Sequence, residues 1–208
     1  MKKNRMAKRG FTLIEALITI LIFSVISLGT AAIFREIYSG ANQKRAALSS
    51  VDQARIAGAA FDNELRNAAL GNDGSYALGE ASTSEIIFFT SYGAAAPAVN
   101  RIRYFTSGTT LYKGVTIPSG SPLDYNLANE KVTPIQTSLA NGSAPLFLYY
   151  NGNYAGTTTA LAQPVNVNSV SFVQMNLSLF MNDQRRATTT FSLLAGAAMR
   201  TLKTNLGN

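Results

Sequence analysis

Lys8-Arg9-Gly10-Phe11-Thr12-Leu13-Ile14-Glu15 is the stretch on which the fold turns. A short basic leader stops at a glycine, and an apolar run opens at the very next residue. That run, residues 11–34, holds 24 residues and a single charge, Glu15. At a rise of 1.5 Å per residue it makes a helix of roughly 36 Å, ample for a hydrocarbon core of about 30 Å. A carboxylate inside such a segment is expensive unless it is paired, which makes Glu15 a functional candidate.

Two plainer readings compete. One is a simple membrane anchor. The other is a secretory signal with a basic start, an apolar centre and a small-residue cleavage site at Gly29-Thr30-Ala31. Neither accounts for the acid four residues after Phe11, nor for a leader that ends in Arg-Gly. The whole pattern (Gly10, then Phe11, then Glu15, and no further charge until Arg35) resembles the signal of type IV pilins and type II secretion pseudopilins. The resemblance implies that a prepilin peptidase cuts after Gly10 and that Phe11 becomes the N-methylated terminus. It implies that Glu15 neutralises the terminal amine of a neighbouring subunit. It further implies residence as a single-pass protein of the cytoplasmic (inner) membrane, with the C-terminal domain exported. From there the chain is extracted from lipid into a periplasmic or surface filament, with an inner-membrane platform protein as a partner.

Charge fits that topology. Five of the 18 Lys and Arg residues fall within the first ten positions, leaving 13 basic against 11 acidic residues from Phe11 onward, a balance of about +2. The formal +7 of the whole chain is therefore concentrated in the leader, where basic residues mark the cytoplasmic side. The chain has neither cysteine nor histidine. That removes disulfides, thiolate chemistry, imidazole-ligated zinc and the Ser-His-Asp triad. Beyond Gly71 the acids are Asp73, Glu80, Glu85, Asp124, Glu130 and Asp183, and none pair in a recognisable motif. The expectation is a non-enzyme with no cofactor and no metal.

From Phe11 to about Leu70 no proline interrupts a single long helix. Its second half is amphipathic: Val51, Ala54, Gly58, Phe61, Leu65 and Ala68 recur every three or four residues and form one stripe. Asp62 and Arg66 add an i,i+4 pair in the favourable order. Gly29-Thr30 and Ser39-Gly40 are soft points, by resemblance candidates for local melting on assembly. Gly71-Asn72-Asp73-Gly74 is expected to cap the helix. Strands are expected at residues 85–90, at 101–106 and 110–115 around a Ser107-Gly108-Thr109 turn, at 146–150, within 165–179 and at 186–194, with a loop region from Pro118 to Pro145. The predicted class is α+β and pilin-like, a long N-terminal helix packed on a C-terminal antiparallel β-sheet domain. The domains read as leader 1–10, transmembrane and polymerisation helix 11–34, amphipathic continuation 35–70, and β-rich globular domain 71–208.

Segments in the order Asp52-Gln53-Ala54-Arg55, residues 61–68, Ile102-Arg103-Tyr104-Phe105, Leu111-Tyr112, Phe147-Leu148-Tyr149-Tyr150 and residues 198–202 are similar to PilW-type minor pilins and J-type pseudopilins. That likeness implies a low-abundance subunit that primes assembly and sits near the filament tip. The retained Glu15 implies docking beneath another subunit. Pilus, secretion-pseudopilus and competence roles remain open, and so does a major-subunit role. Arg101, Arg103 and Lys113 with Tyr104, Phe105 and Tyr112 form a basic and aromatic hairpin, a candidate surface for single-stranded nucleic acid or another ligand. Alternation puts Ile102 and Tyr104 on one face and the arginines on the other, as in any half-buried hairpin, so DNA is the weaker partner reading. Tyr149, Tyr150 and Tyr154 make a candidate adhesive edge for sugar or surface contact. A membrane-tethered or secreted β domain that binds sugar or DNA without polymerising is the alternative function.

Overall fold

The computed structural model describes residues 12–181 and 189–199, with the side chains of 39–44, 46, 181 and 189 outside the description. Helix α1 runs Leu13–Arg66. Eight strands follow: β1 Leu78–Ala81, β2 Glu85–Thr90, β3 Asn100–Ser107, β4 Thr110–Thr116, β5 Lys131–Gln136, β6 Phe147–Tyr150, β7 Phe172–Met181 and β8 Thr189–Ala198. They form two antiparallel sheets, one ordered β1-β2-β3-β4-β5 and the other β6-β7-β8. The class is α+β and pilin-like: an N-terminal apolar helix, a helical continuation and antiparallel sheets. Two units divide at Ala46 and Ala47, and α1 contributes to both.

The first unit is the apolar part of α1. Leu13–Tyr38 has a mean hydropathy of 2.4 over its most apolar window, none of it buried against the chain. Length and composition suit a membrane span. The helix continues unbroken through Gly29 and Gly40, and Thr30 Oγ1 donates to Ile26 O at 2.9 Å beside the first soft point.

In the second unit the expected stripe faces inward. Val51, Ala54, Gly58, Phe61, Leu65 and Ala68 are all buried. Phe61 is its centre, meeting Tyr104 and Phe88 edge-on at 5.3 and 6.1 Å and Phe147 at 5.9 Å. One helical side chain thus touches β2 and β3 of the first sheet and β6 of the second. Gly58 lets the helix come close to β8, since a Cβ there would stand 3.0 Å from that of Ala195. The sheets are also tied through backbone: Leu146 and Phe147 N–H both donate to Thr83 O, and Tyr149 Oη donates to Ser82 O at 2.7 Å.

Three expectations need correction. The helix stops at Arg66, not near Leu70, and Gly71-Asn72-Asp73-Gly74 is not its cap. Its end is closed from β2 instead: the buried Thr90 hydroxyl lies 2.7 Å from Glu64 O and 3.0 Å from Asn67 O, and Ser91 N–H donates to Asn67 O. Those carbonyls would otherwise be orphans of the last turn. Gly71–Gly74 forms a separate latch, in which Asn72 Oδ1 accepts from Val99 N–H and Tyr125 Oη accepts from Asn72 N–H. The Pro118–Pro145 region is not all loop, because β5 lies within it and contains Pro134. β5 is the outermost strand of its sheet, the position where a proline is tolerated.

Thr90→Val keeps the shape but removes the hydroxyl that closes the helix. The expected cost is about 1–3 kcal/mol, the range for a buried acceptor left without its donor. It is read as a lower denaturant midpoint with unchanged slope. An unchanged midpoint would mean that water replaces the hydroxyl.

Candidate functional site

Gly10 and Phe11, the expected cleavage and methylation positions, lie outside the described residues. Glu15 lies in the first turn of α1, exposed. Its N–H donates to Thr12 Oγ1 at 3.3 Å, so Thr12 caps the helix three residues ahead of the acid. Thr-x-x-Glu is a capping-box spacing, a signal legible in the sequence itself. A carboxylate at this end of a helix also meets the positive pole of the helix dipole. Among the described residues Glu15 takes part in no ion pair. The side chain is therefore both presented outward and placed where a cation from elsewhere can reach it.

The basic hairpin is arranged differently. Arg103 Nε lies 2.6 Å from Glu85 Oε1, and its Nη1 lies 3.4 Å from Glu130 Oε2. Arg101 Nη1 is 3.4 Å from the other Glu130 oxygen. The Glu130 carboxylate crosses the sheet over Gly114, where a Cβ would collide with it. Arg103 also stacks 4.0 Å over the Phe105 ring, which in turn packs against Tyr112 at 5.4 Å. Hydrogen bonding to Glu85 leads the causes that raise the Arg103 pKa, against burial and with the Glu85 and Glu130 charges assisting.

Lys113 points to the opposite face and pairs with Glu64 of α1. Tyr104 Oη donates to the second Glu64 oxygen at 2.8 Å. Burial, followed by the Glu64 charge, pushes the Tyr104 phenol far above its ordinary pKa, so it stays a neutral donor. Arg101, Arg103, Tyr104 and Lys113 are thus brought close in the chain but on two faces, and each cation has an intrachain carboxylate. Their charge is matched three for three by Glu64, Glu85 and Glu130. A nucleic-acid phosphate would have to displace those partners.

Tyr149 belongs to the core rather than to a surface edge. Tyr150, Tyr154 and Phe172 cluster on the second sheet, with ring centres 4.2 Å apart for the two tyrosines and 4.5 Å for Tyr154 and Phe172. Gly196 faces this cluster, and a Cβ there would meet the Phe172 ring at 2.9 Å. Asp73 accepts from both the N–H and the hydroxyl of Ser75, at 2.9 and 2.7 Å. Among the described residues no group of three or more His, Cys, Asp or Glu side chains is placed to hold a metal ion. A cleft of about 350 Å³ between Thr83, Thr106, Asn141, Ser143 and Phe180 has no titratable side chain among the described residues that line it.

The family model described as the prokaryotic N-terminal methylation motif matches residues 5–31. No curated protein matches the chain. The motif supports the pilin and pseudopilin class, whose members are structural rather than catalytic. It covers residues 5–10, Phe11, Glu15 and most of the apolar run.

Proposed function

We propose that this chain is a minor pilin or pseudopilin, a low-abundance subunit that primes assembly of a type IV pilus or type II secretion pseudopilus and sits near its tip. The observation that carries the reading is Glu15: an exposed carboxylate in the first turn of an apolar helix, inside a matched N-terminal methylation motif. Residues 1–10 form the leader, 11–34 the transmembrane and polymerisation segment, 35–70 its amphipathic continuation, and 71–208 the exported β-rich domain. Prepilin peptidase cuts between Gly10 and Phe11, and Phe11 is methylated. Burial of the apolar helix against other subunits then replaces its lipid contacts, and Glu15 pairs with a neighbour's terminal amine. The chain is not an enzyme in this reading. The internal pairing of Arg101, Arg103 and Lys113 favours a structural role for the hairpin over a DNA-binding one.

The intact mass and N-terminal peptide of the membrane-associated protein from its native host test the proposal. The expected chain begins at Phe11 and carries one added methyl. A chain beginning at Met1 or near Ala32 would instead support the tethered or secreted binding module. Gly10→Val is expected to block processing, because a side chain is then forced into the position the peptidase meets as glycine. Full processing of that variant would count against the cleavage assignment.

A further inference from the structure

Strand edges carry unpaired N–H and C=O groups, and folded chains blunt them by shortness, charge, proline, bulges or covering segments. Three of the four edges here are blunted. β1 has four residues, includes Glu80 and shifts register between Leu78 and Glu80. β5 carries Lys131 and Pro134. β6 has four residues, and the segment beyond it covers the strand, Leu161 N–H donating to Tyr149 O. Among the described residues β8 has none of these devices from Thr190 to Leu194. It is ten residues long, without charge or proline, and its register with β7 is unbroken from Phe172–Ala198 to Met181–Thr189.

The direction of its backbone groups follows from β7. Asn176 N–H donates to Leu146 O, Ala140 N–H donates to Ser178 O, and Phe180 N–H donates to Ser138 O. Asn176, Ser178 and Phe180 therefore turn their groups away from β8. Directly opposed residues of an antiparallel pair exchange both bonds or neither. Their partners Leu194, Ser192 and Thr190 accordingly turn their own N–H and C=O groups outward. Gly196 has the same orientation and turns its N–H toward the Asp62 carboxylate of α1, which stands at that end of the edge. Among the described residues no hydrogen bond reaches the backbone groups of Thr190, Ser192 or Leu194, and the Leu194 side chain is 63 % exposed.

We propose that the Thr190-Ser192-Leu194 edge of β8 receives an extended, uncharged segment from a neighbouring, different pilin-like subunit, which adds a strand to the β6-β7-β8 sheet. The inference rests on the function proposed above. Backbone groups in this spacing are complementary to a β-strand, and an edge with no charge favours a partner strand with none opposite it. Three residues make a short contact. Apolar helices bundled in one filament hold the two subunits at high effective concentration, and a short strand contact then suffices.

The test uses the full-length chain in its native host, with a photo-crosslinking benzoylphenylalanine at position 192 and, as control, at Thr133 on the blunted β5 edge. The expected adduct at position 192 maps to an uncharged segment of another protein with a prepilin-type N-terminus, with none at the control. Leu194→Lys alters an exposed side chain, and Ser192→Pro removes an N–H that β7 does not use. Each is expected to lower filament incorporation roughly ten-fold by removing a contact that acts at high effective concentration. Leader processing and protease resistance should be unchanged. An adduct with a second copy of this chain, no adduct, or normal incorporation of both variants would overturn the edge proposal while leaving the assembly function in place. A native chain left uncut at Gly10 would overturn the assembly function, and this inference with it.

Discussion

Glu15→Ala is expected to leave the chain inserted and cut after Gly10 but to reduce its incorporation into filaments by roughly ten- to a hundred-fold, the equivalent of a charge-assisted hydrogen bond worth about 1.5–3 kcal/mol. The direction is informative because the lipid term runs the other way. An acid within a membrane-length helix costs about 2.5–3.5 kcal/mol at the bilayer centre and less toward its end, so alanine should make insertion easier, not harder. A loss of assembly therefore has to come from the partner that Glu15 meets in the filament. The competing role is local, since Glu15 follows the capping residue Thr12 and faces the helix dipole. Thr12→Val separates the two. It removes the cap and keeps the charge, and near-normal incorporation is expected. Glu15→Gln should resemble alanine if charge neutralisation is the function. Quantifying the subunit in sheared filaments against its membrane pool reads all three variants. Normal incorporation of Glu15→Ala would remove the proposed salt bridge.

The sequence disclosed the fold where one periodicity or one chemical signal dominated. The period of Val51, Ala54, Gly58, Phe61 and Leu65 named the buried face of α1 because those positions lie on the core side of one helix, and Ala68, just past its end, is buried as well. β2 spans the expected Glu85–Thr90, and β3 and β4 flank the expected turn, since alternation and Ser107-Gly108-Thr109 act together. Elements that depend on distant chain were harder to see. The end of α1 is determined by Thr90, 26 positions beyond Glu64, and no local cap announces it. β5 was hidden because Pro134 reads as a breaker until the strand is known to lie at an edge. In the hairpin, alternation correctly separated Tyr104 from the arginines, but nothing local showed that Glu64, Glu85 and Glu130 would neutralise the cations. Gly114 was a faint clue, being the one position of β4 where the absence of a Cβ leaves room for the Glu130 carboxylate. Among the candidate residues, Glu15 stood out because a charge in an apolar run is costly and therefore conspicuous.

Glu64, Lys113 and Tyr104 give the largest expected stability effect, and an unequal one. The Glu64 side chain is 7 % exposed and Lys113 19 %, and the Tyr104 hydroxyl completes the cluster. Lys113→Met leaves the Glu64 carboxylate buried with one neutral donor, and the expected loss is about 3–5 kcal/mol. Glu64→Met is expected to be milder, because the longer Lys113 side chain can carry its charge toward solvent. Its cost is then mainly the orphaned Tyr104 hydroxyl, about 1–3 kcal/mol. The double substitution should recover most of the Lys113→Met loss, since packed apolar groups replace a desolvated pair, and adding Tyr104→Phe should recover more. Denaturant midpoints of the purified full-length chain in detergent, taken at constant slope, give the cycle. If Lys113→Met proves silent, water must reach Glu64 and the pair contributes little. If the double variant is as unstable as Lys113→Met, packing rather than charge governs the site. In the expected case the cluster fixes which face of α1 rests on β3 and β4. An apolar stripe can rotate slightly with little penalty, whereas one carboxylate held by a lysine and a phenol admits one rotational setting of the helix. That setting determines where the outward residues of α1, Asp52 and Arg55 among them, stand for whatever subunit packs alongside.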